Sequence, residues 1–284
     1  MIKKKLAALG MALTMSLSLF GCGSGNTATT EATTAAGNDG ASTEVSTEGS
    51  DLAKVKEKGT LVIGITDFEP MDYKDENGNW IGFDADMAVA FANNLGVEAK
   101  FVEIDWDNKV LELDSGNIDC VWNGMTLTDE VKSAMECSNP YCNNAQIVIV
   151  PADKADQYQT EDSIKDLSFA VEAGSAGEAE AQNHGFKSTP VQNQASALME
   201  VKSGTSDAAI IDSLMAAAMV GEGTSYADLT YTVGLNSEEY GVGFRKGSDL
   251  AQELNNFFIS SYADGSMQKA AEKYGVQAAL IEQK

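Results

Sequence analysis

From about residue 51 to the C-terminus, short apolar runs alternate with stretches of helical spacing. Leu61-Val62-Ile63-Gly64-Ile65 reads as a buried strand. Asn77-Gly78-Asn79 signals a turn. Met87, Phe91 and Leu95 then recur on one helical face, with Asp84 placed to cap that helix and Gly96 to close it. Phe101-Val102 falls in a second strand, a helix follows from about Asp107 to Leu113, and a third strand covers Ile118 to Trp122. Strand and helix in alternation predict an α/β fold with largely parallel sheets.

The plan then repeats. Phe169-Ala170-Val171 is a strand, Ala195 to Val201 a helix, Ala208 to Ile211 a strand and Leu214 to Val220 a helix. An internal echo accompanies it: Ser115-Gly116-Asn117-Ile118-Asp119 and Ser203-Gly204-Thr205-Ser206-Asp207 each follow a helix and lead into an apolar run. Two similar α/β lobes are predicted. Gln146 to Val150 and Tyr240 to Gly247 are β-rich and suit a two-strand hinge between them. Helices at Asp249 to Tyr262 and Ser266 to Tyr274 would pack back on the first lobe.

Charge narrows the partners. The 284 residues carry 19 basic and 43 acidic side chains, a net charge of −24. Nucleic acid is disfavoured, because phosphate binding needs clustered Lys and Arg. The N-terminus stands apart from the fold: Lys3-Lys4-Lys5 precedes a mostly apolar Leu6 to Phe20, too short to span a bilayer. Leu19-Phe20-Gly21-Cys22 resembles a bacterial lipobox, which implies a signal peptide over residues 1–22 and lipid on Cys22; an ordinary signal peptide with an incidental cysteine is the alternative. Residues 23–50 are almost entirely Gly, Ser, Thr, Ala, Asn and Glu, and are expected to form a disordered tether. Of the remaining cysteines, Cys120 sits in an apolar strand, while Cys137 and Cys142 are near enough in sequence to bridge a short loop or to remain free. With no C-x-x-C or Cys/His cluster, no structural metal is expected.

The landmarks, taken in order, resemble those of the extracytoplasmic solute-binding proteins of amino-acid ABC transporters, with the type II periplasmic-binding fold. They are Gly59-Thr60-Leu61-Val62-Ile63-Gly64, Pro70, Gly82-Phe83-Asp84-Ala85-Asp86, Ser115-Gly116 with Asp119, Gly124-Met125-Thr126-Leu127-Thr128, Ser138-Asn139-Pro140-Tyr141, Tyr240-Gly241-Val242-Gly243, Arg245-Lys246-Gly247 and Asp264-Gly265. The resemblance implies a first lobe of residues 51–145 plus 241–284, a second of 146–240, and a ligand cleft that closes about the hinge. It also implies an amino acid or small amine as ligand, an ABC permease as membrane partner, a monomer with no cofactor, and a place outside the bacterial cell membrane.

For the cleft the resemblance points to strand ends and helix starts. Phe68 would cover the ligand side chain, with Asp67 and Glu69 beside it, unless this loop is simply a solvated acidic turn. Trp106 would form an opposing wall or pack as core. Trp122, Asn123, Gly124, Met125 and Thr126 would supply main-chain and hydroxyl hydrogen bonds, with Thr126 or Thr128 capping the next helix. Gly174, Ser175 and Ala176 open a helix whose N-terminus suits an anion, or make a plain glycine turn. Asp212, after four apolar residues, would pair with an α-ammonium or cap the helix that follows.

Two usual carboxylate contacts are missing. The arginine that the family places after the Thr-x-Thr segment is Val131 here, and Ala176 stands where a second hydroxyl is usual. An acidic, aromatic cleft without that arginine suits a cation. Catalysis is weakly supported: His184 is the only histidine and G-x-S-x-G spacing is absent. A dehydratase-like use of Asp67, Glu69 or Glu172 as general acid, and a sensing rather than importing role, stay open as alternatives.

Overall fold

In the computed structural model, residues 49–284 are described. The expected lipidation site Cys22 and nearly all of the expected tether lie outside them. Ser50 already belongs to the folded body: its hydroxyl accepts from Ala53 N and caps the helix Asp51–Lys58. Among the described residues no helix is long and apolar enough to cross a membrane.

Two α/β lobes share one strand plan. In the first sheet the order is Glu98–Glu103, Thr60–Ile65, Cys120–Thr126, Glu238–Phe244 and Glu136–Cys137, with Cys142–Asn144 also pairing on Glu238–Phe244. The first three are parallel and Glu238–Phe244 runs against them. In the second sheet the order is Lys187–Val191, Ser168–Glu172, Ala208–Asp212, Gln146–Pro151 and Leu229–Gly234. Again three strands are parallel, and Gln146–Pro151, arriving from the other lobe, is antiparallel. Central parallel strands are buried on both faces, which is why Leu61 to Ile65 and Ala208 to Ile211 are apolar without alternation.

The chain crosses between the sheets twice, at Ala145 and over Leu235 to Ser237. The crossings are bonded to each other: Gln146 N donates to Asn236 Oδ1 at 2.7 Å and Leu235 N to Gln146 O at 2.9 Å. Glu238–Phe244 lies wholly in the first sheet, three residues before the expected return at Gly241. Helices Leu250–Ala263 and Ser266–Lys273 pack on the first lobe, where Phe258 meets Trp122 and Tyr141.

One local expectation changes. Helix Phe83–Leu95 is entered through Gly82, and Asp84 does not cap it; the carboxylate turns into the core and accepts from Gly124 N and Tyr141 Oη. Gly96 closes that helix in the left-handed region, as its position predicts. Cys120, Cys137 and Cys142 are all free thiols.

Candidate functional site

A cavity of about 240 Å³ lies between the lobes, at the C-terminal ends of the parallel strands. Its walls come from both sheets: Trp106, Lys109 and Asn123 to Thr126 on one side, Glu172, Gly174 to Ala176, Gln194 and Asp212 on the other. Strand ends are where an open α/β sheet leaves backbone groups and loops free to meet a ligand.

The strand Cys120–Thr126 divides its residues between two faces. Cys120, Trp122 and Gly124 face the aromatic core, and Val121 and Met125 face a second cluster that includes Trp106 and Val131. Trp122 is therefore a core residue, 1% exposed and packed on Phe91 and Phe258, and is no wall of the cavity. Asn123 reaches the cavity, but its amide is engaged: it accepts from Thr66 N at 2.9 Å and donates to Thr66 Oγ1 at 2.8 Å. Gly124 has φ +54°, and a β-carbon there would run into the Phe68 ring, so only glycine fits without strain. Its N–H points inward to Asp84 Oδ2 at 2.7 Å, away from any ligand. Thr126 donates to Glu238 Oε1 at 2.8 Å, and Thr128 caps the helix Asp129–Ala134 by accepting from Val131 N.

Loop 67–69 departs from expectation. Phe68 is buried under Gly124, edge-on to Tyr240, and belongs to the first lobe's core. Asp67 is exposed, Glu69 is half-buried, and neither lines the cavity. Trp106 packs with Ile104, Leu113 and Val131 and also lines the cavity.

Across the cleft, Gly174 (φ +68°) lies so close to the first lobe that a β-carbon would stand 2.7 Å from Asp107 Cα. Lys109 Nζ, over the Trp106 ring at 4.9 Å, donates to Gly174 O at 2.8 Å and joins the lobes. The anion site expected at the start of helix Ala176–Asn183 is filled from within. Glu178 Oε2 accepts from Gly174 N at 2.7 Å, and Ser175 Oγ accepts from Glu178 N at 3.1 Å. A negative group at a helix N-terminus is favourable, and here the chain supplies its own. Ala176 lines the cavity without offering a side-chain donor.

Asp212 stands at the N-cap position of helix Ser213–Met219 but makes no side-chain cap bond. Its Oδ1 accepts from Asn144 Nδ2 and from Gln146 Nε2, the latter at 2.7 Å. Its Oδ2 accepts from Gln194 Nε2, whose own Oε1 takes Asp212 N–H at 2.8 Å. Burial raises this carboxyl to about 7, the nearby Glu238 adding to the effect.

Lys109, Gln194 and Glu238 were not legible as site residues. Glu172 suggested itself only as a general acid, although it ends an apolar strand just as Asp212 does. It is 3% exposed, lines the cavity, and has one carboxylate oxygen, Oε1, without a hydrogen-bond partner. Burial, reinforced by Asp212, raises it to about 8. Lys109 is pushed down by burial against the pull of Glu172 and Asp107. Val131 presents an apolar side chain to the cavity wall, while the neighbouring Lys132 is exposed. Five acids line the cavity — Asp107, Glu130, Glu172, Glu178 and Asp212 — against Lys109 as the one base.

With this geometry in view, the relatives are informative. Residues 61–277 match the family described as bacterial extracellular solute-binding proteins, family 3. The L-cystine-binding protein TcyJ of Escherichia coli K12 is 29% identical over 227 residues, covering 78% of this chain and 85% of TcyJ. The arginine-binding extracellular protein ArtP of Bacillus subtilis is 30% identical, covering 81% and 89%. Among solved structures, an ABC uptake transporter substrate-binding protein from Streptococcus pneumoniae with bound histidine superposes with a TM-score of 0.72 at 30% identity, covering 82% of this chain and 99% of that one.

Proposed function

Because the chain belongs to the family 3 bacterial extracellular solute-binding proteins, we propose that it is the capture component of an ABC importer, holding an amino acid or a related small amine between its lobes. In this reading lipid on Cys22 anchors it to the outer face of the cell membrane, and a permease in that membrane receives the ligand. It captures and releases its solute without chemical change. The observation that carries the reading is the inter-lobe cavity, walled by strand ends from both sheets and bridged by the Lys109–Gly174 hydrogen bond. A ligand that touches both walls favours the closed arrangement over an open one, which is how binding energy drives hinge closure. The relatives' names carry cystine, arginine and histidine, and the amino-acid class extends from them to this chain.

A thermal-shift screen of amino acids, amines and quaternary ammonium compounds tests this. A ligand at a thousandfold excess over its Kd stabilises by about 4 kcal/mol, which for a body of this size raises the melting temperature by about 8–16 °C. No shift with any amino acid or amine, confirmed by calorimetry, would sink the proposal.

A further inference from the structure

The two acids that end the second lobe's parallel strands are not equally available. Asp212 accepts from Asn144, Gln146 and Gln194, so both of its oxygens are engaged by amides of the protein. Glu172 is as deeply buried, yet its Oε1 has no partner, and the residue lines the cavity. A buried acceptor left unpaired costs about 1–3 kcal/mol, so native structures rarely keep one without a reason. The cavity's one base does not relieve it: Lys109 Nζ donates to the carbonyls of Trp106 and Gly174 instead.

We propose that Glu172, rather than Asp212, is the carboxylate that receives a cationic nitrogen on the ligand's side chain, and that the cavity prefers solutes bearing an ammonium or guanidinium group at that point. The inference rests on the solute-binding reading above and specifies the chemistry within it. The acidic cavity wall favours a cation in the same sense. Val131 and the self-capped helix start leave no strong second anchor for a carboxylate, so the positive end carries the selectivity.

The charge state supplies an independent readout. The charged groups facing Glu172 are Asp212 from the strand Ala208–Asp212 and Lys109 from the first lobe, with the hydroxyl of Thr66 and the amide of Gln194 also beside it. Burial, with Asp212 beside it, holds Glu172 up near 8, so it carries a proton at pH 7. A cationic nitrogen stabilises the ionised form, so capture at pH 7 releases that proton to the buffer, and affinity rises with pH towards 8.

Calorimetry on the wild-type protein and Glu172→Gln tests this with L-arginine, L-lysine and agmatine as cationic probes and L-citrulline as the neutral isostere of arginine. Wild type is expected to bind at least one cationic probe, to prefer arginine over citrulline by tenfold or more, and to release about half a proton or more per site at pH 7, read from the dependence of the heat on buffer. In Glu172→Gln the preference for the cation is lost and the proton release falls away, while citrulline affinity changes less than about threefold. The Gln variant keeps the shape of the side chain. Should it fail to fold, the arginine–citrulline pair and the buffer dependence of the wild type decide the matter. Equal binding of arginine and citrulline, or tight binding of neutral amino acids alone, overturns the inference and leaves the solute-binding reading standing. Silence across every amino acid and amine overturns both.

Discussion

The two lobes solve the same backbone problem and finish it differently. In the first, the ends of adjacent parallel strands carry Thr66 and Asn123, two neutral residues tied by a pair of hydrogen bonds. In the second, the matching ends carry Glu172 and Asp212, two buried acids of which Asp212 raises Glu172, and they share only the amide of Gln194. One side of the cleft is satisfied from within; the other keeps a buried carboxyl oxygen, Glu172 Oε1, without a partner. The echo seen in the sequence shows the same divergence at the far end of the strands. Asp119 and Asp207 each pair with the strand beside them through main chain and side chain: Asp119 with Val62, Asp207 with Ser168. Asp119, however, is buried under Lys58 and Arg245, whereas Asp207 is exposed and adds only the Ser168 hydroxyl. The first lobe is further thickened by helix Asp51–Lys58 and the two C-terminal helices.

The sharpest way to break that symmetry is at the echo. Asp119→Ala removes a buried partner of two cations and should cost about 3 kcal/mol, seen as a lower urea midpoint. Asp207→Ala, at the matching place, should cost about 1 kcal/mol. Equal costs would show that burial does not distinguish the lobes.

The second prediction concerns pH. Asp72, Asp84, Glu172 and Asp212 are all raised, chiefly by burial: Asp72 well above the usual range, Asp84 and Asp212 to about 7, and Glu172 to about 8. A carboxyl raised on folding contributes stability that is full below its unfolded value and lost as pH rises through its folded value. The ligand-free protein should therefore be about 2 kcal/mol or more less stable at pH 8.5 than at pH 5, measured by calorimetric melting. Asp84→Asn and Glu172→Gln should each flatten the profile, one through the first lobe and one through the second. A melting temperature that climbs from pH 5 to 8.5 would contradict the assignment.

The smallest effect separates folding from closure. Gly124 and Gly174 both have positive φ, but Gly124 is crowded by Phe68 in its own lobe and Gly174 by Asp107 across the cleft. Gly124→Ala should lower stability by about 1–3 kcal/mol. Gly174→Ala should change stability less and weaken ligand binding about tenfold, roughly 1.4 kcal/mol, because the added methyl obstructs closure. Affinity unchanged in Gly174→Ala would mean that the ligand-bound lobes do not approach as drawn.

Local pattern alone determined much of this molecule. The apolar runs at Leu61 to Ile65 and Ala208 to Ile211, the helical face of Met87, Phe91 and Leu95, and the stop at Gly96 follow from period and residue type, which act within one element. The acid at a strand's end could be read at Asp212, and by the same rule at Glu172. Tertiary structure alone decided which groups remain free. Period 2 puts Trp122 on one face of its strand, but only packing against Phe91 and Phe258 makes that face the core. Phe68 left the cleft because Gly124 opens a space beneath it. The amides that engage Asp212 come from positions 144, 146 and 194, and Glu178 fills a helix start that looked vacant. A buried polar group takes whichever partner the fold brings within 3 Å or so, and sequence distance carries no record of that choice.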